Sequence, residues 1–321
     1  MANGMKMNHK WMHLLKWAGK ILAVVSLLFI AKSLWEMEWG WIHGYPPWKL
    51  CFNLFLLSWF GVAGNYINAY VWKLYIDFFS QKRNDTRPIQ KVYLKSNIAK
   101  YLPGNILQYA DRNILGSQLG IGHKSIAAAS VMELAVIVAS AVLFAVAVSF
   151  REAAEALRYF SSYIIEKKLL FYCIGVMVIL AGAFLYALYR FRLFNRLKPY
   201  WNLGLLKVTA KAIAFYMLVH VISGCFLSGI FLLFLHQRIS FITVASANVI
   251  AWLLGYITVG SPGGIGIREA ALVFLLRNVY PKEAVVTAAV ILRLCCVLAD
   301  FISYVSVWGI RKSKGTGMFK R

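Results

Sequence analysis

Val259-Gly-Ser-Pro-Gly-Gly-Ile-Gly-Ile-Arg-Glu-Ala-Ala-Leu-Val-Phe-Leu-Leu276 lies between two strongly apolar segments. Pro262 donates no backbone hydrogen bond, and Gly260, Gly263, Gly264 and Gly266 free the backbone from the α region. The pattern predicts a helix that runs from Phe241 and stops near Val259. A second helix starts near Ile265, with Arg268 and Glu269 in its first turn. Broken backbone at membrane depth is tolerated only where protein or a wet cavity satisfies its polar groups. A helix N-terminus placed there offers N–H groups and partial positive charge to an anion. Arg268 adds a full charge on a forked donor array.

Composition sets the environment. Of 321 residues 60% are hydrophobic, and the net charge is +23. Soluble globular domains are about 45–50% apolar, so the chain reads as a membrane protein. The basic excess is assigned to cytoplasmic loops and lipid head groups, not to nucleic acid, because no basic soluble domain remains once the spans are removed. Cys51, Cys173, Cys225, Cys295 and Cys296 sit in apolar segments without metal-ligand spacing and read as small core residues. No cofactor or metal is expected. The N-terminus is basic and then apolar. Its apolar run ends at Leu34-Trp35-Glu36 without a small-residue cleavage site, so it reads as a retained anchor.

The expected fold is an all-α polytopic membrane protein. Six spans are predicted at Leu14–Leu34, Leu50–Phe79, Ile126–Phe150, Leu169–Tyr189, Ala212–Leu235 and Ala284–Trp308. Two broken elements accompany them, Ile89–Leu102 with Asn105–Leu119 and Phe241–Val259 with Ile265–Val279. The second is read as a re-entrant hairpin, because its second arm is shorter than the ~20 residues a straight span needs. Ile89–Leu102 reads either as an interfacial helix or as the first arm of a re-entrant hairpin with its tip at Pro103-Gly104. Eight full spans is the alternative. Lysines precede the first span, Glu36 and Glu38 follow it, and a basic tail closes the chain. The positive-inside rule therefore puts both termini in the cytoplasm and Arg151–Lys168 outside a plasma (inner) membrane.

Lys100-Tyr-Leu-Pro-Gly104 leads to Asp111, Arg112 and a Gly116…Gly120 tail. Together with Ser261-Pro-Gly-Gly-Ile-Gly-Ile-Arg-Glu-Ala-Ala270, this resembles the lysylphosphatidylglycerol synthase transmembrane-region family. That family includes the flippase domain of multiple peptide resistance factors. Where its first motif continues with a bulkier, more basic run, this chain has Asn105-Ile-Leu-Gln108. The resemblance covers nearly the whole chain and implies a flippase-like protein of the cell envelope. The family's soluble aminoacyl-transferring domain is expected to be absent, since the chain ends soon after Trp308.

Pro103 and Pro262 are 159 residues apart, and the same offset relates the predicted spans. Residues 1–150 and 151–321 then form two halves of one membrane domain. Each half has two spans, a hairpin broken at Pro-Gly and one more span. An odd number of crossings per half makes the second half inverted, which is the transporter pattern with a site near the midplane.

Glu133, Arg293 and Asp300 lie well inside predicted spans. A lone charge at the bilayer centre costs about 2.5–3.5 kcal/mol on insertion scales, so such residues pair or face water. The offset places Glu133 opposite position 292, which predicts a Glu133–Arg293 pair with Asp300 as a second partner. Head-group contact is expected from Arg268, Arg112 and the N–H groups of Gly263, Gly264 and Gly266. Glu269 and Asp111 are expected to orient the arginines or meet a cationic group. Pro103, Gly104 and Pro262 are the structural breaks. Lys32, Lys73 and Asp77 are near span ends and are expected to snorkel. His220 is expected to be a hydrogen-bonded core residue.

The chain lacks His-x-x-Glu-His, Gly-x-Ser-x-Gly and a metal-spaced Cys pair, so an enzyme is not expected. The expectation is translocation or binding of a lipid with a charged, anionic head group, phospholipid or polyprenyl-linked. One alternative is a polyprenyl-dependent glycosyltransferase, from Glu36 and Glu38 beside an aromatic belt. The other is a non-catalytic membrane partner of an envelope-biosynthesis enzyme.

Overall fold

The computed structural model describes residues 46–101, 107–163, 202–237, 239–257, 264 and 266–308, with side chains in the fourth helix described through Val148. The order is α1 (Pro47–Ser80), α2 (Thr86–Asn97), a 3-10 turn (Ile98–Tyr101), α3 (Leu107–Ser117) and α4 (His123–Tyr163). It continues with α5 (Leu203–Leu233), α6 (Phe241–Ile257), α7 (Ile267–Leu276) and α8 (Lys282–Ser306). No strand occurs among the described residues. The protein is an all-α polytopic membrane protein.

Among the described residues four helices are long and apolar enough to cross a membrane: α1, the His123–Val148 part of α4, α5 and α8. The shortest, α8, has 25 residues. At 1.5 Å per residue that is about 38 Å, beyond the ~30 Å hydrocarbon layer. Phe55, Trp59, Val142, Val146 and Leu218 on these helices are exposed, as expected of faces that meet lipid. The helices α2, α3, α6 and α7 have 12, 11, 17 and 10 residues, too few to cross singly. They pack as pairs, α2 on α3 and α6 on α7. The predicted spans Leu14–Leu34 and Leu169–Tyr189 lie outside the described residues, as do Pro103, Gly104, Pro262 and Gly263.

Sequence periodicity missed two boundaries. The helix α4 runs on to Tyr163, so 151–163, expected as an outer loop, is helical. That segment is rich in Ala, Glu and Arg and holds no Gly or Pro. Its charges limit burial, not helix formation. The helix α5 starts at Leu203 rather than Ala212. The Asn202 side chain accepts a hydrogen bond from the Leu205 N–H at 3.0 Å and caps it. Lys207 and Lys211 are exposed on that added stretch.

The two larger of three apolar clusters among the described residues hold most of the bundle. One joins Trp72 and Tyr75 of α1, Leu94 of α2, Ile126 of α4 and Tyr216 of α5. The other joins Leu57 of α1, Leu227 and Ile230 of α5, Leu272 and Leu276 of α7 and Ile291 of α8. Lys73 does not snorkel. It is buried and paired with Asp77, whose Oδ1 also accepts the Asn84 N–H at 2.9 Å. His220 meets the Ser140 hydroxyl at 3.0 Å within the core. Cys295 is buried, but Cys51 is exposed rather than in the core.

Small residues set the helix spacing. A Cβ on Gly61 of α1 would lie 2.6 Å from the Ala299 Cβ of α8, and one on Gly224 of α5 would lie 2.5 Å from the Ala245 Cβ of α6. Membrane helices associate by such close packing rather than by hydrophobic expulsion. Gly224→Val is expected to destabilise by about 1–3 kcal/mol through overpacking, read as a lower melting temperature in detergent. Gly122→Ala, with nothing within 4 Å of the added Cβ, should leave that temperature unchanged.

The order long, short, short, long occurs twice. The helices α5, α6, α7 and α8 begin 156, 155, 160 and 159 residues after α1, α2, α3 and α4.

Candidate functional site

The ends of the short helices converge on one cavity of about 220 Å³. Lys100 and Tyr101, at the end of the 3-10 turn, line it together with Gln108 and Tyr109 from the start of α3. Tyr256, at the end of α6, and Arg268, in the first turn of α7, line its other side. The Tyr109 and Tyr256 hydroxyls meet at 2.8 Å and tie the two helix pairs together. Glu133 and Arg293 also line the cavity and sit ten and eleven residues into α4 and α8. At 1.5 Å per residue this is roughly 15 Å from the helix starts, half of a ~30 Å hydrocarbon layer.

Arg112 and Glu133 form one buried unit. Arg112 Nη1 is 2.6 Å from Glu133 Oε2, and the two residues are 2% and 5% exposed. The Tyr93 hydroxyl donates to Glu133 Oε1 at 2.7 Å, and Arg112 Nε donates to the Ser96 hydroxyl at 3.2 Å. The guanidinium also lies 3.8 Å from the Tyr93 ring centroid. The ion partner of Glu133 is therefore Arg112, not the expected Arg293. Packing of α3 between α2 and α4 brings Arg112 across from Glu133, and this local contact displaces the long-range pairing expected from the offset. Arg112 also lines the cavity.

Asp300 is the second hub. Its Oδ1 accepts from Asn65 Nδ2 at 2.9 Å and Asn97 Nδ2 at 3.1 Å. Its Oδ2 takes Lys100 Nζ at 2.7 Å and a short hydrogen bond from the Tyr101 hydroxyl. The expected role of Asp300 as a second partner in the Glu133–Arg293 pair is thus replaced by a tie to Lys100. One carboxylate joins α1, α2, the turn and α8.

Arg268 is placed by two glycines. A Cβ on Gly255 would lie 2.5 Å from Arg268 Cγ, and one on Gly264 would lie 2.8 Å from Arg268 Nε. Gly264 is buried with φ +75°, a conformation that side chains oppose. The arginine threads past both glycines to the cavity, and its guanidinium lies 6.0 Å from the Trp252 ring centroid. Its Nε is buried and has no hydrogen-bond partner among the described residues. Glu269 has a local structural role. Its Oε2 accepts the Gly266 N–H at 2.7 Å and closes the first turn of α7, so that N–H, expected to face an anion, is already used. Asp111 is half-exposed on α3 and is not among the cavity-lining residues.

Four cationic side chains and two carboxylates line the cavity among the described residues: Lys100, Arg112, Arg268 and Arg293 against Glu133 and Asp300. Such a surface attracts an anion, and low surrounding dielectric strengthens the attraction. No cluster of His, Cys, Asp or Glu able to hold a metal ion occurs among the described residues. The sequence reading missed Asn65, Asn68, Asn97, Tyr93, Tyr109, Tyr256 and Gly255. A signal for the first two was present: Gly61, Gly64, Asn65 and Asn68 recur at helical spacing and give an apolar span one small, polar face.

No family model matches the chain, and no curated protein matches it.

Proposed function

We propose that this chain is a flippase-like membrane protein that binds an anionic lipid head group in the central cavity and carries it between leaflets. The observation that carries the reading is the convergence of two interrupted helix pairs on a cation-rich cavity about halfway along the spanning helices. A lipid crossing the bilayer must keep its acyl chains in hydrocarbon while its polar head group finds polar partners. A mid-membrane cavity lined by helix ends and arginines meets that need. The resemblance of the two Pro-Gly motifs to a flippase-like family supports the same reading. The head group is that of a phospholipid or a polyprenyl-linked lipid, and an envelope-biosynthesis enzyme is a natural partner.

The twofold recurrence of long, short, short, long helices supports an inverted repeat, in which one helix pair opens toward each face. On this reading the membrane is the plasma (inner) membrane and both termini are cytoplasmic. In a cysteine-free background, a membrane-impermeant maleimide applied from outside should modify Glu155→Cys but not Asp85→Cys. External labelling of Asp85→Cys would overturn the orientation.

The functional test is leaflet-resolved movement of labelled phosphatidylglycerol in proteoliposomes, with native mass spectrometry of co-purified lipid. The expected result is protein-dependent movement and retained anionic lipid. No movement of any envelope lipid by folded protein would refute the proposal.

A further inference from the structure

We infer that Asp300 is an internal counter-anion of the head-group site, which holds Lys100 until the phosphate of an anionic lipid takes its place. This rests on the proposed lipid-binding reading and names the chemistry that the site selects.

The argument starts from the asymmetry of the pair. The Asp300 side chain is 5% exposed, whereas that of Lys100 is 28% exposed. An anion arriving in the cavity therefore meets the lysine before the carboxylate. Lysine suits an exchange, because its ammonium is a point charge with three rotatable donors on a flexible stem. Arg112 contrasts with it, being 2% exposed and fixed by a carboxylate, a hydroxyl and an aromatic face. Asp300 can release Lys100 without being stranded. Asn65, Asn97 and Tyr101 still donate to its two oxygens. A buried charge is costly chiefly when it is left without partners.

The competition also selects the ligand. A carboxylate already occupies Lys100, so a head group offering only a carboxylate gains little by replacing it. A phosphate presents several acceptor oxygens to Lys100 and Arg268, and charge-assisted hydrogen bonds to it are strong. Exchange also removes one polar tie between the turn Ile98–Tyr101 and α8, since Lys100 and Tyr101 both bind Asp300. Binding of the anion should loosen that turn.

The experiment titrates the full-length protein, in phosphatidylcholine nanodiscs, with short-chain phosphatidylglycerol and separately with inorganic phosphate. Asp300→Asn is expected to bind phosphatidylglycerol about tenfold more tightly than the wild type, and Lys100→Gln about tenfold more weakly. Wild-type binding with folded Asp300→Asn no tighter would overturn the inference alone. No binding by either folded protein would remove the lipid-binding reading and this inference with it. Inorganic phosphate bound as tightly as phosphatidylglycerol would overturn the assignment to a lipid. A second measurement needs no variant. Hydrogen exchange of the wild-type 98–101 amides should speed up with saturating phosphatidylglycerol and not with short-chain phosphatidylcholine. Unchanged exchange with phosphatidylglycerol bound would overturn the displacement of Lys100.

Discussion

Arg268→Ala is expected to reduce protein-dependent lipid movement by roughly ten- to a hundredfold while folded protein still accumulates in the membrane. The size follows from the loss of hydrogen bonds between a charged donor and an anion, worth about 1.5–3 kcal/mol, with each 1.4 kcal/mol a factor of ten. The variant should fold, because the buried Arg268 Nε is already without a hydrogen-bond partner among the described residues. Arg268→Lys should recover part of the activity, since the ammonium restores charge without the planar fork. Gly255→Ala gives an independent check. Its new methyl would lie 2.5 Å from Arg268 Cγ and must push the side chain off its path. It should lower transport in the same direction without removing any charge. Wild-type rates in folded Arg268→Ala, measured by the leaflet-resolved assay at matched protein amount, would exclude Arg268 from the site.

Much of the architecture was legible in the sequence because its signals are local. Apolar run length marks α1, α5 and α8, and the Gly-Ser-Pro-Gly-Gly stretch separates α6 from α7. Glu133, Arg293 and Asp300 were legible for a related reason: a charge within a long apolar helix must face protein or water. Arg112 and Arg268, on the short helices, were legible from the motifs around Pro103 and Pro262. Arg112, Glu133, Arg268, Arg293 and Asp300 indeed line one cavity. Their pairing was not legible. The need for a partner is written in the helix that bears the charge, whereas the partner is chosen by how neighbouring helices cross. Symmetry alone points Glu133 to Arg293, whereas the packing of α3 on α4 gives it Arg112. Gly255 was invisible for another reason. Within an apolar helix a glycine reads as a weak helix former, and only the path of Arg268 gives it a purpose.

The largest stability effect is expected at the Arg112–Glu133 pair. Both side chains are almost wholly buried, so water cannot replace a missing partner. Removing one charge strands the other, a loss of about 3–5 kcal/mol in comparable buried pairs. Glu133→Gln leaves the Arg112 guanidinium beside Tyr93 with only neutral acceptors. Arg112→Met leaves the carboxylate with the Tyr93 hydroxyl as its remaining donor among the contacts described above. The second variant should be the milder if the carboxylate can take up a proton, an option that the guanidinium lacks. The double change Arg112→Met with Glu133→Gln should recover part of the loss, because no unpaired charge remains and methionine fills irregular space. Thermal unfolding in detergent of the wild type, both single variants and the double variant gives the coupling energy directly. Coupling well above the 0.3–0.5 kcal/mol scatter of independent sites is the expected result. Strictly additive losses would show that the pair is not the stabilising unit its geometry describes.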